Sequence, residues 1–308
     1  MKRNDYDNVV LISNQASGAL AGRIAAAMGI PFTEVVRRQF ADGELYHAFP
    51  GELSGKDVVI VGATHTDQSH QELMDLVAGA RFWNAGTVNV VIPYLGYSTM
   101  ERSKPGSGEI PKGITRSRQL FRALPDFVAF IDLHSEAVLH AHDGNIHTKH
   151  IQTDRLVIEK IRALHLRDYV LVSPDYGRSK WVARLASQLD VAHTAADKDR
   201  YATDKTMASQ ISSVVQGKTV IICDDMIRTG GSIINTAMRC KEAGATSSVL
   251  MATHLVLCGE ARQKIAEQKI RKVIGADTYP GRQPDDLVEV YSVAPLVAEV
   301  LSRQLKLV

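Results

Sequence analysis

Residues 220–232 of the 308-residue chain read VIICDDMIRTGGS. An apolar, β-branched run enters Asp224 and Asp225, then Thr229-Gly230-Gly231-Ser232, then the stretch IINTAMRCKEAG. The first backbone N–H groups of a helix lack partners within it and sit at the positive end of its dipole, so a helix start attracts anions. Gly230 and Gly231 let the backbone approach such an anion closely, and the hydroxyls of Thr229 and Ser232 add donors. Carboxylates at a strand end accept hydrogen bonds from vicinal sugar hydroxyls, or hold a hydrated Mg²⁺ through them. An acid pair followed by a phosphate cradle describes a binder of a sugar phosphate. The plainer reading of the same residues is a helix N-cap preceded by incidental acids.

The elements that must position this loop are short apolar runs alternating with helical segments. The spacing predicts strands near residues 8–13, 57–63, 87–94, 127–133, 169–173, 218–224, 247–252 and 271–275. It predicts helices at 15–28, 68–84, 112–123, 179–189, 230–243, 259–267 and 294–305. Runs of four to eight apolar residues suit strands buried on both faces, and strand–helix alternation argues for parallel sheets covered by helices, an α/β fold. In such sheets ligands bind at the carboxyl ends of strands, which is where Asp224 and Asp225 fall. There is also an internal echo. GKDVVIVGATH at 55 and GKTVIICDDM at 217 are each followed by a helix, an Ala-Gly turn and a second strand. Any two strand–helix–strand units share that pattern; a duplication in which one copy keeps the ligand loop is the other reading. A boundary in HAHDGNIHTKH, near 145–150, divides the chain into domains 1–147 and 148–308.

Composition narrows the function class. Hydrophobic residues make up 45% and charged residues 23%, an ordinary globular balance, and the net charge is +2. A nucleic-acid partner calls for a larger, clustered basic excess, so none is expected. No apolar run is long enough for a membrane span, and MKRNDYDNVV offers no apolar core for a secretory signal, so the cytoplasm is the expected compartment. Cys223, Cys240 and Cys258 form neither a metal knuckle nor a disulfide framework. His140, His142, His147 and His150 crowd one stretch without zinc-ligand spacing and read as loop residues.

The loop closely resembles the phosphoribosyl-binding signature shared by type I phosphoribosyltransferases and pyrophosphokinases. Further segments resemble the ribose-phosphate pyrophosphokinase family in order and spacing: RQFADGELYHAFP at 38, IPYLGY at 92, IDLHSE at 131, SPDYGRSKWVARLASQL at 173, ADKDR at 196, THLV at 253 and DTYP at 277. The resemblance implies two similar parallel-sheet domains of the phosphoribosyltransferase kind. It implies Mg²⁺-dependent transfer of diphosphate from ATP to the anomeric hydroxyl of ribose 5-phosphate, giving phosphoribosyl diphosphate and AMP. By the same resemblance Phe40, Asp42, Glu44, Arg102 and His134 contact the nucleotide, and His134 and Asp175 contact the metal. Lys198 and Arg200, with Tyr201 and Asp204 beyond, form a loop that stabilises charge on the transferred group. Asp224, Asp225, Arg228, Thr229, Gly230, Gly231 and Ser232 hold the ribose phosphate. A homo-oligomer, often a hexamer whose neighbouring subunits help build the nucleotide site, is implied as well.

Three positions depart from the family pattern. Thr99 and Met100, followed by Glu101 and Arg102, stand where the commonest members carry an Arg-Gln pair, and the stretch looks more like the plant-type class with its less strict donor choice. Asp199 interrupts the Lys-Arg-Arg of the basic loop. Arg228 replaces an aspartate and brings a permanent cation with bidentate reach for phosphate. Two other functions stay open: a phosphoribosyltransferase, which has no use for the Phe40–Glu44 segment, and a non-catalytic regulatory paralogue, which has no need of Lys198 and Arg200.

Overall fold

The structure, a computed structural model, describes residues 6, 8–144, 146–196 and 213–306. Strands β1 (Val9–Ser13), β4 (Asp57–Val61), β5 (Thr87–Ile92), β6 (Phe127–Ile131) and β7 (His147–Ile151) form one parallel sheet in that order. β2 (Val36–Gln39) and β3 (Leu45–Ala48) form a separate antiparallel hairpin. The second parallel sheet holds β8 (Tyr169–Ser173), β9 (His193–Ala195), β10 (Thr219–Ile227), β11 (Ser247–Leu255), β12 (Lys272–Ala276) and β13 (Val288–Tyr291), in the order β13-β12-β11-β10-β8-β9.

Burial explains the runs of Val and Ile. Val58, Ile60, Val88, Val90, Val128 and Phe130 pack with Leu73, Leu76 and Val77 of the helix Asp67–Phe82 and with Leu120 and Phe121 of the helix Lys112–Arg122. In the second sheet Val220, Ile222, Leu250 and Val273 pack with Ile233, Ile234, Ala237 and Cys240 of the helix Gly231–Glu242. Each Val, Ile, Leu or Phe so buried contributes about 1.5–3 kcal/mol of transfer free energy.

The two sheets repeat one topology. β1-β4-β5-β6-β7 corresponds to β8-β10-β11-β12-β13, and the outer strand β9 has a counterpart in the parallel bridge between Leu11 and Phe32. The paired segments that begin GK enter β4 and β10, and each is followed by a helix and the next strand over, β5 or β11. In both sheets the chain first winds outward and then reverses, so a switch point lies between β1 and β4 and between β8 and β10.

The chain divides into two compact units. One comprises Met1–Gln152, Thr278–Gly281 and Ser292–Val308; the other comprises Thr153–Asp277 and Arg282–Tyr291. Three segments assigned from sequence to the second domain, residues 148–152, Thr278–Gly281 and Ser292–Val308, therefore belong with the first. β7 continues the first sheet by pairing with β6, and the helix Ala294–Gln304 buries Ala294, Val297, Ala298 and Leu301 in the first unit, alongside the helix Gly18–Met28. Strand–helix alternation cannot reveal such a return of the chain. Unread elements also emerge. β2, β3, β9 and β13 are short and partly polar, and β7 reads HTKHI, so none has an apolar run. The helix Asp154–Ala163 buries only Val157, Ile158 and Ile161.

Candidate functional site

Asp224 and Asp225 lie inside β10 rather than after it. The ladder between β8 and β10 ends at Val172 and Ile222, whereas β10 continues beside β11 as far as Ile227 and Leu255. The acid pair thus stands on the part of β10 that projects past β8, at the switch point where an open α/β sheet makes its crevice. Beyond it, Gly230 takes a left-handed conformation (φ +80°) and caps the helix Gly231–Glu242 without any side-chain capping bond. No acidic residue occupies the first turn. Thr229, Gly231 and Ser232 are exposed around this helix start, as is Arg228, whose carbonyl accepts the N–H of Cys258 at 3.0 Å. The donors and the dipole of such a helix start favour an anion.

Sequence reasoning missed Arg178. It sits in the first turn of the helix Tyr176–Leu189 and reaches across to the acid pair, with Nη2 2.5 Å from Asp225 Oδ2 and Nε 3.8 Å from Asp224 Oδ1. The helix begins three residues earlier than the spacing predicted, because Asp175 caps it by accepting the Arg178 N–H at 3.3 Å. Asp224 Oδ1 also accepts the backbone N–H of Asp225 at 2.8 Å. Burial, and then the neighbouring charge of Asp225, hold the Asp224 carboxyl well above the usual carboxylate range, outweighing the pull of Arg178. Two adjacent carboxyls are thus set against one guanidinium.

Asp175 is at the carboxyl end of β8, where Ala196 donates its N–H to the Ser173 carbonyl at 2.8 Å. Lys198, Asp199, Arg200, Tyr201 and Asp204 follow and lie outside the described residues.

At the matching switch point of the first unit the crevice is filled by the protein itself. Asn14 is fully buried and donates to the carbonyls of Ala63 and Ser69 at 2.9 and 3.1 Å. The Ser17 hydroxyl accepts the Ala63 N–H at 2.8 Å. The buried Glu72 carboxylate accepts the Gln15 N–H at 3.0 Å and Arg37 Nε at 2.7 Å. Arg37 Nη2 in turn donates to the Ser13 carbonyl at 2.6 Å. Glu72 is thereby the anchor of the β2–β3 hairpin.

The hairpin tip carries Phe40, Asp42 and Glu44, all exposed. Asp42 Oδ1 accepts the Glu44 N–H at 3.1 Å, Gly43 donates to the Phe40 carbonyl, and Phe40 meets Tyr46 edge to face at 6.0 Å. A more distant segment of the same unit runs from Gly96 to Gly113. It is pinned where the Tyr97 hydroxyl donates to Asp67 Oδ1 at 2.9 Å and Arg116 pairs with the same oxygen at 2.8 Å. The Tyr97 hydrogen bond, followed by the positive charges of Arg116 and Lys112, holds the Asp67 carboxyl below its ordinary range. Thr99 and Met100 are exposed on this segment, and Arg102 extends into solvent 3.2 Å from Glu101. His134 is exposed after β6. His147 and His150, read as loop residues, instead belong to β7. Among the described residues no group of three or more His, Cys, Asp or Glu is arranged to hold a metal ion. Mg²⁺ keeps most of its own water and takes one or two carboxylates, so the half-buried carboxylate of Asp175 fits it. No helix of the described residues is long and apolar enough to cross a membrane.

Comparison with known proteins finds two family domains along the chain. Residues 9–112 match the N-terminal domain of ribose phosphate pyrophosphokinase, and residues 144–277 match the phosphoribosyl transferase domain. Ribose-phosphate pyrophosphokinase 1 of Streptococcus mutans is 31% identical over 307 residues, covering 97% of this chain and 94% of its own. Ribose-phosphate pyrophosphokinase of Wolinella succinogenes is 30% identical over 295 residues, covering 95% and 94%. The crystal structure of phosphoribosylpyrophosphate synthetase from Mycobacterium smegmatis superposes with a TM-score of 0.86 at 26% identity, covering 98% of this chain and all of that one.

Proposed function

The chain belongs to the ribose-phosphate pyrophosphokinase family of transferases, and from that premise we propose that it transfers diphosphate from ATP to the anomeric hydroxyl of ribose 5-phosphate, giving phosphoribosyl diphosphate and AMP in the cytoplasm. The observation that carries this reading is the uncapped helix start at Gly230 beside the acid pair on the projecting end of β10. The 5-phosphate sits against the N–H groups of Gly231 and Ser232, with the Thr229 hydroxyl and the Arg228 guanidinium as further donors. The ribose hydroxyls donate to the Asp224 and Asp225 carboxyls. The nucleotide is read by Phe40, Asp42 and Glu44 of the hairpin tip and by Arg102 and His134. The sugar's anomeric oxygen attacks the β-phosphorus and AMP leaves.

Such transfers depend on positioning and charge neutralisation rather than covalent help from the protein. Mg²⁺, when bound, would neutralise phosphate oxygens; His134 of one unit and Asp175 of the other would each offer it a contact. Lys198 and Arg200 stabilise the charge that develops on the transferred and leaving groups. The neighbouring subunits of a homo-oligomer contribute to the nucleotide site.

Incubation with ribose 5-phosphate, Mg²⁺ and each nucleoside triphosphate tests the reading. Nucleoside monophosphate and phosphoribosyl diphosphate should form together and in equal amounts. A phosphoribosyltransferase would form neither from these reactants, and a non-catalytic paralogue would bind them without turnover.

A further inference from the structure

Two carboxyl side chains packed side by side at the end of a strand need a cation. Asp225 has 6% and Asp224 19% of its side chain exposed, so water does little to separate their charges. The usual remedies are a proton, a divalent ion or a basic side chain. Here a basic side chain is already in place. The Arg178 guanidinium, itself 20% exposed, donates to Asp225 at 2.5 Å and lies 3.8 Å from Asp224. Its backbone is fixed as well, because Asp175 takes its N–H at the start of the helix Tyr176–Leu189. A guanidinium is permanently charged and planar, so it holds its partner's oxygens in one geometry at every working pH.

We propose that Arg178 is the sugar site's built-in cation: it neutralises and orients the Asp224–Asp225 pair, so that ribose 5-phosphate binds there without a divalent ion. The proposal rests on the reading of 224–232 as the sugar-phosphate site. It separates the metal need of the polyphosphate, which carries its own charge, from that of the sugar, whose acid pair already has a cation fixed beside it. Arg178 is a positioning residue in this scheme. It acts on the sugar through the two carboxyls.

Removing one partner of a buried ion pair leaves an uncompensated charge. In Arg178→Ala that charge is negative and faces a ligand bearing a phosphate. A metal ion can then take over part of the neutralisation.

Calorimetric titration of the full chain with ribose 5-phosphate, in EDTA and again in Mg²⁺, tests this without turnover. The unmodified protein should bind with the same affinity, within about 2-fold, in both buffers, whereas Arg178→Ala should lose about 10-fold or more in EDTA and recover most of it in Mg²⁺. Arg178→Lys, which keeps the charge, should stay metal-independent and controls for folding. Equal affinity of the Ala variant in EDTA, or a metal requirement in the unmodified protein, overturns the proposal. Absence of binding by the unmodified protein in both buffers overturns the sugar-phosphate reading beneath it.

Discussion

His150 accepts the backbone N–H of Leu133 at its Nε2 atom, 3.0 Å away, and its Nδ1 lies 2.8 Å from Glu136 Oε1. The first contact fixes the tautomer. An Nε2 that accepts carries no proton, so Nδ1 bears it and donates to Glu136. A strand residue thus clamps both sides of the turn that presents His134. The turn is constrained in itself, with Asp132 at φ +38°. Neither residue stood out as functional in the sequence, because β7 has no apolar run to mark it as a strand.

The clamp makes a testable difference between two substitutions. His150→Ala leaves the Leu133 N–H without its acceptor, whereas Glu136→Gln keeps an oxygen facing Nδ1. Loss of a group that orients a metal contact typically costs about 10- to 100-fold in metal affinity. His150→Ala should raise the Mg²⁺ concentration needed for turnover by that order and speed hydrogen exchange at the Leu133 amide. Glu136→Gln should change both far less, and ribose 5-phosphate binding in EDTA should be unaffected in either variant. Equal effects of the two substitutions would mean that the clamp has no role in presenting His134.

Gly230 and Gly231 are adjacent, yet the structure assigns them different work. Gly230 has φ +80°, and a Cβ there would come within 3.1 Å of Ile234 Cδ1. Gly231 has no positive φ, and a Cβ on it would touch only the Thr229 hydroxyl at 4.0 Å. Gly230→Val should therefore destabilise the fold, by about 1–3 kcal/mol for a β-branched residue in a left-handed conformation, as well as weaken sugar-phosphate binding. Gly231→Ala should leave the melting temperature unchanged and still weaken ribose 5-phosphate binding, because the added methyl stands where the phosphate approaches. Full affinity in the Gly231 variant would move the phosphate elsewhere.

The sequence carries the structural signal where that signal is local. The strand, acids and glycine turn at 220–232 are contiguous, so the strand and the helix start after it were legible as a unit. So were the strands whose Val and Ile runs are buried on both faces. Arg178 was not, because its partners lie on another strand and no periodicity links a helix start to the end of β10. The closed crevice of the first unit was invisible for the same reason: Asn14, Glu72 and Arg37 meet only after folding. The duplication reading gains from that closure. Two sheets share one topology, and the helix after β10 starts without a capping side chain where its counterpart after β4 starts with the Thr66–Ser69 capping box.

Asp224 should stabilise the protein more in acid than at neutral pH. Its folded carboxyl titrates above the ordinary value of 3.8, chiefly through burial. A raised folded value means that the favourable contribution is present while the group is protonated, below the unfolded value, and is lost as pH rises through the folded one. Asp224→Asn removes that loss. Its melting temperature should exceed that of the unmodified protein at about pH 8, and the gain should shrink toward about pH 4. Affinity for ribose 5-phosphate should fall at the same time, since the amide presents one acceptor where the carboxylate presents two. A thermal gain that is independent of pH would argue against a titrating Asp224.

Donor choice is the remaining expectation, and it follows from Thr99 and Met100. Their backbone is held, with Met100 donating to the Tyr97 carbonyl at 2.8 Å and accepting from Gly113 at 3.1 Å. Neither side chain supplies the guanidinium and amide that the commonest family members carry there, so there is no charged clamp and no two-way hydrogen bond to a base. Nucleotide recognition then rests on Phe40, whose exposed ring can stack on any base, and on the polar tip of the hairpin. Arg102, 86% exposed on its side chain, is free to swing toward a polyphosphate and recover part of the lost affinity. Stacking without hydrogen-bond readout separates bases weakly, so catalytic efficiency with ATP, GTP and CTP should fall within about 100-fold. Arg102→Ala should raise KM for all three triphosphates alike if, as proposed, it meets phosphate rather than base. A preference for ATP of several orders of magnitude would show that this segment reads adenine in another way, and the family assignment would stand regardless.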